Sequence, residues 1–228
     1  MKNKKIQKKI KKEHNFQKTK IEKAISILKK KSRRKFIESF DSIIMLGINA
    51  KKTDQNIRGS TVLPHGTGKK IIVAVFAHGK QAEEAKNAGA EFIGMEDLSK
   101  QIKQNKIKFD VVVTSPENMK QVSMLGSILG PKGLMPNHKM GTITSDIYQT
   151  VKKIKNGQIR YKNEKNGIIH ALIGKSNFST KQIKENLISL IKDLKKQKPH
   201  TMKGKYFKKI FLKTTMGPAI EIKKSSLK

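Results

Sequence analysis

Seven apolar residues run without a break from Ile71 to Ala77 in a chain whose formal net charge is +34. So charged a chain can bury a run like this in one economical way, as a strand covered on both faces, which is typical of parallel sheets. A parallel sheet needs crossover segments, usually helices. The neighbouring sequence supplies them. Gln81 to Asn87 reads as a helix with Gly89 as its stop. Phe92 and Ile93 read as a short strand, Glu96 to Gln104 as a second helix and Phe109 to Thr114 as another buried strand. Ser115 with Pro116 at the first helical position starts the next helix, and Asp146 to Lys155 closes the unit. Alternating strand and helix predicts a small α/β unit with a parallel sheet. After its first strand stands His78-Gly79-Lys80 rather than Gly-x-Gly-x-x-Gly, so no dinucleotide site is expected.

The two chain ends have a different grammar. Thr19 and Glu22 have the spacing of a capping box, ahead of an apolar stripe of Ile21, Ala24, Ile25 and Leu28. Glu38 to Ile48 reads as a half-buried strand with Phe40, Ile44, Leu46 and Ile48 on one face. Gln158 to Lys162 and Gly167 to Ile173 read as two strands joined by a turn at Asn163 to Asn166. Ser179 and Gln182 form a second capping box, with Phe178 and Ile183 as its hydrophobic staple. The helix behind it carries Ile183, Leu187, Leu190, Ile191 and Leu194 on one face, and Tyr206 to Leu212 is a further strand. Leu63 to Lys69 and Asn156-Gly157 are the two hinge candidates. Charge divides the chain at the same places. Residues 1–68 hold 19 basic and 5 acidic residues, residues 69–158 hold 14 and 8, and residues 159–228 hold 18 and 4. The ends therefore group together as one strongly basic domain, interrupted by the middle.

That charge implies a polyanionic partner. No apolar run approaches a membrane span, and no basic helix carries a bulky aromatic face, so nucleic acid is expected rather than a membrane. The charged start of the chain has no apolar signal core, and a cytoplasmic location is expected. There are 47 lysines against four arginines. With the abundant Asn and Ile, part of this skew is expected from an AT-rich coding sequence and part from function, so lysine count alone does not measure function. The lysine-rich arm Met1 to Lys12, with Ile6 and Ile10 one turn apart, suits phosphate contact without specificity. The absence of cysteine excludes disulfides and thiolate chemistry. His14, His65, His78, His138, His170 and His200 are scattered without metal spacing, and no nucleophile–base arrangement stands out. Both Walker-like fragments fail: Gly68-Lys69 is followed by Lys70, and Ile169 stands where Gly174-Lys175-Ser176 would need a glycine. An RNA-acting enzyme and nonspecific DNA compaction are the alternatives that the charge allows. The first lacks a site, and the second does not need two folded domains.

Gly126 to Thr142 is the chain's most distinctive phrase. Its glycines and prolines exclude a regular helix or central strand, while Leu129, Leu134, Met135 and Met140 are too apolar for a solvated linker. A pinned loop presenting backbone amides, Lys132 and Lys139 is expected. The phrase resembles the signature of the bacterial-type ribosomal protein L-one family at Gly126, Leu129 to Asn137, Lys139, Gly141 and Thr142. It departs at His138, where the family usually has proline. Asp54 to Gly59, Leu63 to Lys69, the Ile-Gly-Lys phrase ending at Lys175 and Thr215-Met216-Gly217-Pro218 extend the resemblance.

The resemblance implies a two-domain α/β protein. Residues 1–68 and 159–228 would form a discontinuous α+β domain with a mainly antiparallel sheet. Residues 69–158 would form an inserted domain with a parallel, Rossmann-like sheet. The resemblance also implies a non-enzymatic constituent of the large ribosomal subunit, monomeric when free. Its partners would be large-subunit rRNA at the mobile stalk, exit-site tRNA whose release it assists, and its own mRNA, which it represses. The implied RNA-binding residues are Lys35, Phe36, Ser39, Lys175, Ser176, Thr215, Met216 and Gly217. Lys132, Gly133 and Lys139 would make secondary RNA or tRNA contacts. No cofactor or metal is implied. Phe36, beside Arg33, Arg34 and Lys35, has two readings from residues alone, a core plug or a stacking platform. Thr214 to Pro218 alone would be an ordinary turn.

Overall fold

A computed structural model describes residues 18–32 and 35–227. The arm Met1 to Lys12, with Ile6 and Ile10, and the pair Arg33 and Arg34 lie outside the described residues. Helix α1 (Ile21–Lys31) leads into β1 (Ser39–Leu46) and β2 (Arg58–Val62). The middle of the chain follows as β3 (Val73–Phe76), α2 (Lys80–Asn87), β4 (Phe92–Gly94), α3 (Glu96–Lys103) and β5 (Val111–Thr114). It continues through α4 (Met119–Ser123), a single turn α5 (Gly126–Leu129) and α6 (Ile147–Lys155). The chain returns through β6 (Gln158–Lys162), β7 (Ile168–Lys175), α7 (Thr180–Lys196), β8 (Phe207–Thr214) and β9 (Ile220–Glu221).

The expected split into two kinds of sheet is present. Both chain ends build one four-stranded antiparallel sheet, ordered β7-β1-β8-β9. The middle builds a separate parallel sheet, ordered β4-β3-β5. Every residue of β3 and of β5 is buried, as their unbroken apolar runs require. Strand β1 instead alternates, with Phe40, Ile44 and Leu46 inward. That face packs into a cluster drawn from both ends of the chain, including Ile25 and Leu28 of α1 and Leu187 and Leu190 of α7. The parallel sheet has its own clusters on its two faces.

The strands β2 and β6 form a third, two-stranded sheet. The two strands expected on either side of the Asn163 to Asn166 turn are present as β6 and β7. β6 and β7 each also pair with a strand from the amino-terminal region, and between themselves they form a bridge at Asn163 and Ile169.

Three local expectations change. α1 has Lys20 at its N-cap and no side-chain cap. The backbone of Thr19 is instead drawn into a bridge to Ile222, its amide donating to the Glu221 carbonyl at 3.0 Å. Glu22 pairs with Lys184 on α7 at 2.5 Å. Ser115 does not cap a helix; α4 starts only after Asn118, whose amide donates across to the Phe76 carbonyl at 3.3 Å. The signature stretch is not irregular throughout, since Gly126–Leu129 makes one helical turn that buries Leu129. The second capping box forms as expected, with reciprocal Ser179 and Gln182 bonds of 3.1 and 2.8 Å. Among the described residues no helix is long and apolar enough to cross a membrane.

Chain entry to and exit from the middle are side by side. The Leu63 amide donates to the Gly157 carbonyl at 3.2 Å. Gly66 and Gly157 both hold positive φ, 63° and 95°, and a Cβ on Gly157 would run into the Gly66 backbone. Only glycine allows both the close crossing and the left-handed turns.

Candidate nucleic-acid interface

Strand β1 runs antiparallel to both of its neighbours, so its first residue lies beside their last. Ser39 is opposite Lys175, and Phe40 is opposite Thr214. Lys35, Phe36 and Ser39 therefore share one sheet edge with Lys175 and Ser176 and with Thr215, Met216 and Gly217. Three phrases, the first more than a hundred residues before the other two, become a single surface.

Glu38 ties them together. It is 1% exposed, and its carboxylate accepts from the Met216 amide at 3.1 Å. Its carbonyl accepts from the Ser176 amide at 2.8 Å. One residue over, the Ser39 amide donates to Thr215 Oγ1 at 3.0 Å, and the Thr215 amide donates back to the Ser39 carbonyl at 3.1 Å. The Gly217 amide turns back onto the Thr214 carbonyl at 3.2 Å. A Cβ at Gly217 would strike Thr214 Oγ1, so the turn needs glycine. Beside the edge, burial pushes the Asp41 carboxyl up, and Lys213 and His170 pull it part of the way back.

This framework holds apolar groups out into solvent. Phe36 is 52% exposed, Ile37 58% and Met216 61%. Phe36 is thus not a core plug. Lys35 is exposed, and Lys175 and Ser176 are half-buried. The Thr215 hydroxyl already accepts from Ser39, which leaves its own hydrogen to donate. Cations, a directional hydroxyl and exposed apolar side chains on one rim are what sugar, phosphate and base contact require. Reading the residues in sequence missed Glu38 and Ile37. The available signal was a lone acid just after a basic run and just before a strand.

Lys132, Gly133 and Lys139 lie elsewhere. Lys132 Nζ donates to Asn105 Oδ1 at 3.1 Å, and Gly133 takes a left-handed φ of 68°. The Lys139 amide is held by Asn137 Oδ1 at 2.8 Å. Lys139 lines a recess of about 250 Å³ with Thr53, Asn56, Arg58 and Asn137. Leu134 and Met135 pack on the insert's core, so the loop is pinned as expected. Asn137 is extended, with φ −149° and ψ 139°. That is the conformation a following proline would favour, so His138 keeps the backbone path.

With this geometry in view, the chain was compared with known proteins. The sequence model of the ribosomal protein L1p/L10e family matches residues 28–218. The chain belongs to this family. The match runs from the end of α1 to Pro218, and so takes in all three phrases of the shared edge. Among its relatives, the large ribosomal subunit protein uL1 of Vibrio campbellii is 54% identical over 207 residues. That alignment covers 91% of this chain and 89% of the relative. The protein of the same name from Vibrio vulnificus strain YJ016 is 55% identical with the same coverage. L1 family members are structural ribosomal proteins, and this chain is not an enzyme.

Proposed function

We propose that the chain is a constituent of the large ribosomal subunit that binds large-subunit rRNA at the mobile stalk. The observation that carries this reading is the convergence of three distant phrases on Glu38, in a member of a ribosomal protein family. In this reading Phe36 and Met216 pack on bases or sugars. Thr215 donates to a phosphate or 2′-hydroxyl oxygen, Gly217 lets the backbone come close, and Lys35, Ser39, Lys175 and Ser176 bind the phosphate backbone. Phosphate contacts set register and affinity, while the apolar and hydroxyl groups give selectivity. Residues 1–68 with 159–228 act as the RNA-binding domain and residues 69–158 as the insert. Through Lys132, Gly133 and Lys139 the insert contacts exit-site tRNA and assists release of the deacylated form. The same edge, bound to the chain's own mRNA, represses its translation. Its place of work is the cytoplasmic ribosome.

The test is a filter-binding titration against stalk RNA and a scrambled RNA. Thr215→Val is expected to cost about 1–3 kcal/mol of stalk-RNA binding and little of scrambled-RNA binding. It also removes the acceptor for the Ser39 amide, so a loss of roughly 1 kcal/mol in stability is expected with it. Melting curves separate the two effects. Equal weakening of both RNAs, or of neither, would make the turn a structural corner. Lys132→Ala with Lys139→Ala is expected to leave stalk-RNA binding intact and slow exit-tRNA release in a reconstituted translation assay.

A further inference from the structure

A cleft of about 710 Å³ opens between the two-stranded β2–β6 sheet and the insert, away from the Glu38 edge. One of its walls is cationic by register. Arg58 faces Lys162 and Ser60 faces Arg160 across the ladder, so Arg58, Arg160 and Lys162 share one face of that sheet. The opposite face carries Tyr161, buried at 2%, into the core. Arg58 and Arg160 are diagonal neighbours, about 7–8 Å apart by sheet geometry. That gap is bridged by one phosphate group.

Three features mark the wall as more than a solvated basic strip. First, the chain has 47 lysines and four arginines, and both arginines among the described residues line this cleft. Arginine's planar fork binds phosphate in two-point fashion where lysine offers a point charge. Second, Arg160 is only half used. Its Nη2 donates to the Asp110 carbonyl at 2.9 Å, while its Nη1 is shielded from solvent and has no partner among the described residues. A buried guanidinium nitrogen without an acceptor is costly, and an anionic oxygen in the cleft would satisfy it. Third, the cleft's carboxylate is already neutralised. Asp110 accepts from Lys69 Nζ at 2.5 Å and from the Ile72 amide at 3.1 Å. Arg58 and Lys162 form no ion pair with it, and it acts on Arg160 only as a nearby charge. Facing them is an apolar wall from the signature loop, in which Met135 and Met140 take part. Methionine side chains adapt to flat rings.

We propose that this cleft binds one nucleoside monophosphate unit, with its phosphate on Arg58, Arg160 and Lys162 and its base against Met135 and Met140. A cleft of this size suits a ligand of that class. Because its walls come from both parts of the chain, the bound unit joins them. The unit is either a free nucleotide or one nucleotide of a single-stranded RNA. The phosphate and ring chemistry is the same for both.

The test is calorimetric titration of the full-length chain with adenosine 5′-monophosphate, inorganic phosphate and an adenosine trinucleotide, in about 0.2 M salt to screen diffuse charge binding. Adenosine 5′-monophosphate is expected to bind at one site, at least tenfold tighter than inorganic phosphate. Arg58→Gln and Arg160→Gln are each expected to weaken it at least tenfold while stalk-RNA binding at the Glu38 edge is unchanged. Arg58→Gln leaves the Arg160–Asp110 contact in place, so it remains informative even if Arg160→Gln misfolds. Met140→Ala should weaken the nucleotide and leave inorganic phosphate unaffected. A trinucleotide that competes with the mononucleotide and binds tighter assigns the source as RNA, and one that gains nothing assigns it as free nucleotide. No binding at all, binding that ignores Arg58→Gln, or nucleotide bound no better than inorganic phosphate would overturn the proposal.

Discussion

Asn186 lies fully buried on α7, on the same side of the helix as Ile183 and Leu190. Its Nδ2 donates to the Gly66 carbonyl at 2.9 Å and to the Ile173 carbonyl at 2.8 Å. Its Oδ1 accepts from the His65 amide at 3.1 Å. One amide side chain thus satisfies two backbone groups in the segment where the chain leaves for the insert and one on β7. Asn186→Leu keeps the volume and removes every bond, so it is expected to destabilise the protein by about 2–4 kcal/mol, since buried groups left unpaired cost their desolvation. Thermal melting checks this, and an unchanged midpoint would mean that water replaces the side chain. Neither Asn186 nor Glu38 was legible in the sequence. Each has its meaning largely in backbone groups that fold in from more than a hundred residues away, His65 and Gly66 for Asn186, Ser176 and Met216 for Glu38. Thr215, Met216 and Gly217 were legible only because they form part of a recognised phrase. Gly-Pro after two threonines would otherwise mark any turn.

The elements were read well where periodicity is strong and local. The unbroken runs of β3 and β5, the alternation of β1 and the Ser179–Gln182 box of α7 all follow from side-chain spacing. Reading failed where a distant strand outbid a local preference, as at Thr19. The insert's sheet is tied at its start by two acids. Glu91 Oε2 accepts from the Val73 amide at 2.9 Å, and Oε1 pairs with Lys155 at 2.5 Å. Asp110 holds Ile72 and Lys69 in the same way. Burial alone would raise both carboxyls, but the lysine and amide bonds outweigh it and hold them below their ordinary 4.5 and 3.8. A depressed carboxylate pKa adds stability above the ordinary value, and that stability is lost as pH falls through the depressed one. The melting temperature should therefore drop as pH falls below 4.5, and Glu91→Gln should flatten part of that drop. A fall of the same size in both proteins would locate the acid sensitivity elsewhere. At the crossing of the two connecting segments, Gly157→Ala puts a side chain on a φ of 95° and against Gly66. A cost of about 1–3 kcal/mol is expected from urea unfolding.

For the whole molecule, net charge and topology govern different behaviour. RNA affinity should fall steeply with salt, with a log–log slope of about −0.7 to −0.9 per neutralised phosphate. A salt-independent affinity would contradict the interface. Topology predicts that the insert is removable. Val62 faces Gln158 in the β2–β6 ladder, and Leu63 bonds Gly157, so a chain in which Thr67 is followed directly by Asn156 needs only a short loop. It should fold by circular dichroism and keep its stalk-RNA affinity within about threefold, a difference of roughly 0.7 kcal/mol. Folding without specific binding would show that the primary site includes the insert. The strand order β7-β1-β8 has a further consequence for how the protein is made. β1 is the central strand but leaves the ribosome first, and neither neighbour emerges until well over a hundred residues later. At ordinary elongation rates that wait is of order 10–30 s. During it, the insert can complete its own parallel sheet from residues close in sequence, while β1 holds Phe40, Ile44 and Leu46 without a partner. Vectorial synthesis therefore builds the interrupting part before the part it interrupts. The nascent strand that will carry the RNA edge passes through an exposed, apolar and unpaired stage in every round of synthesis.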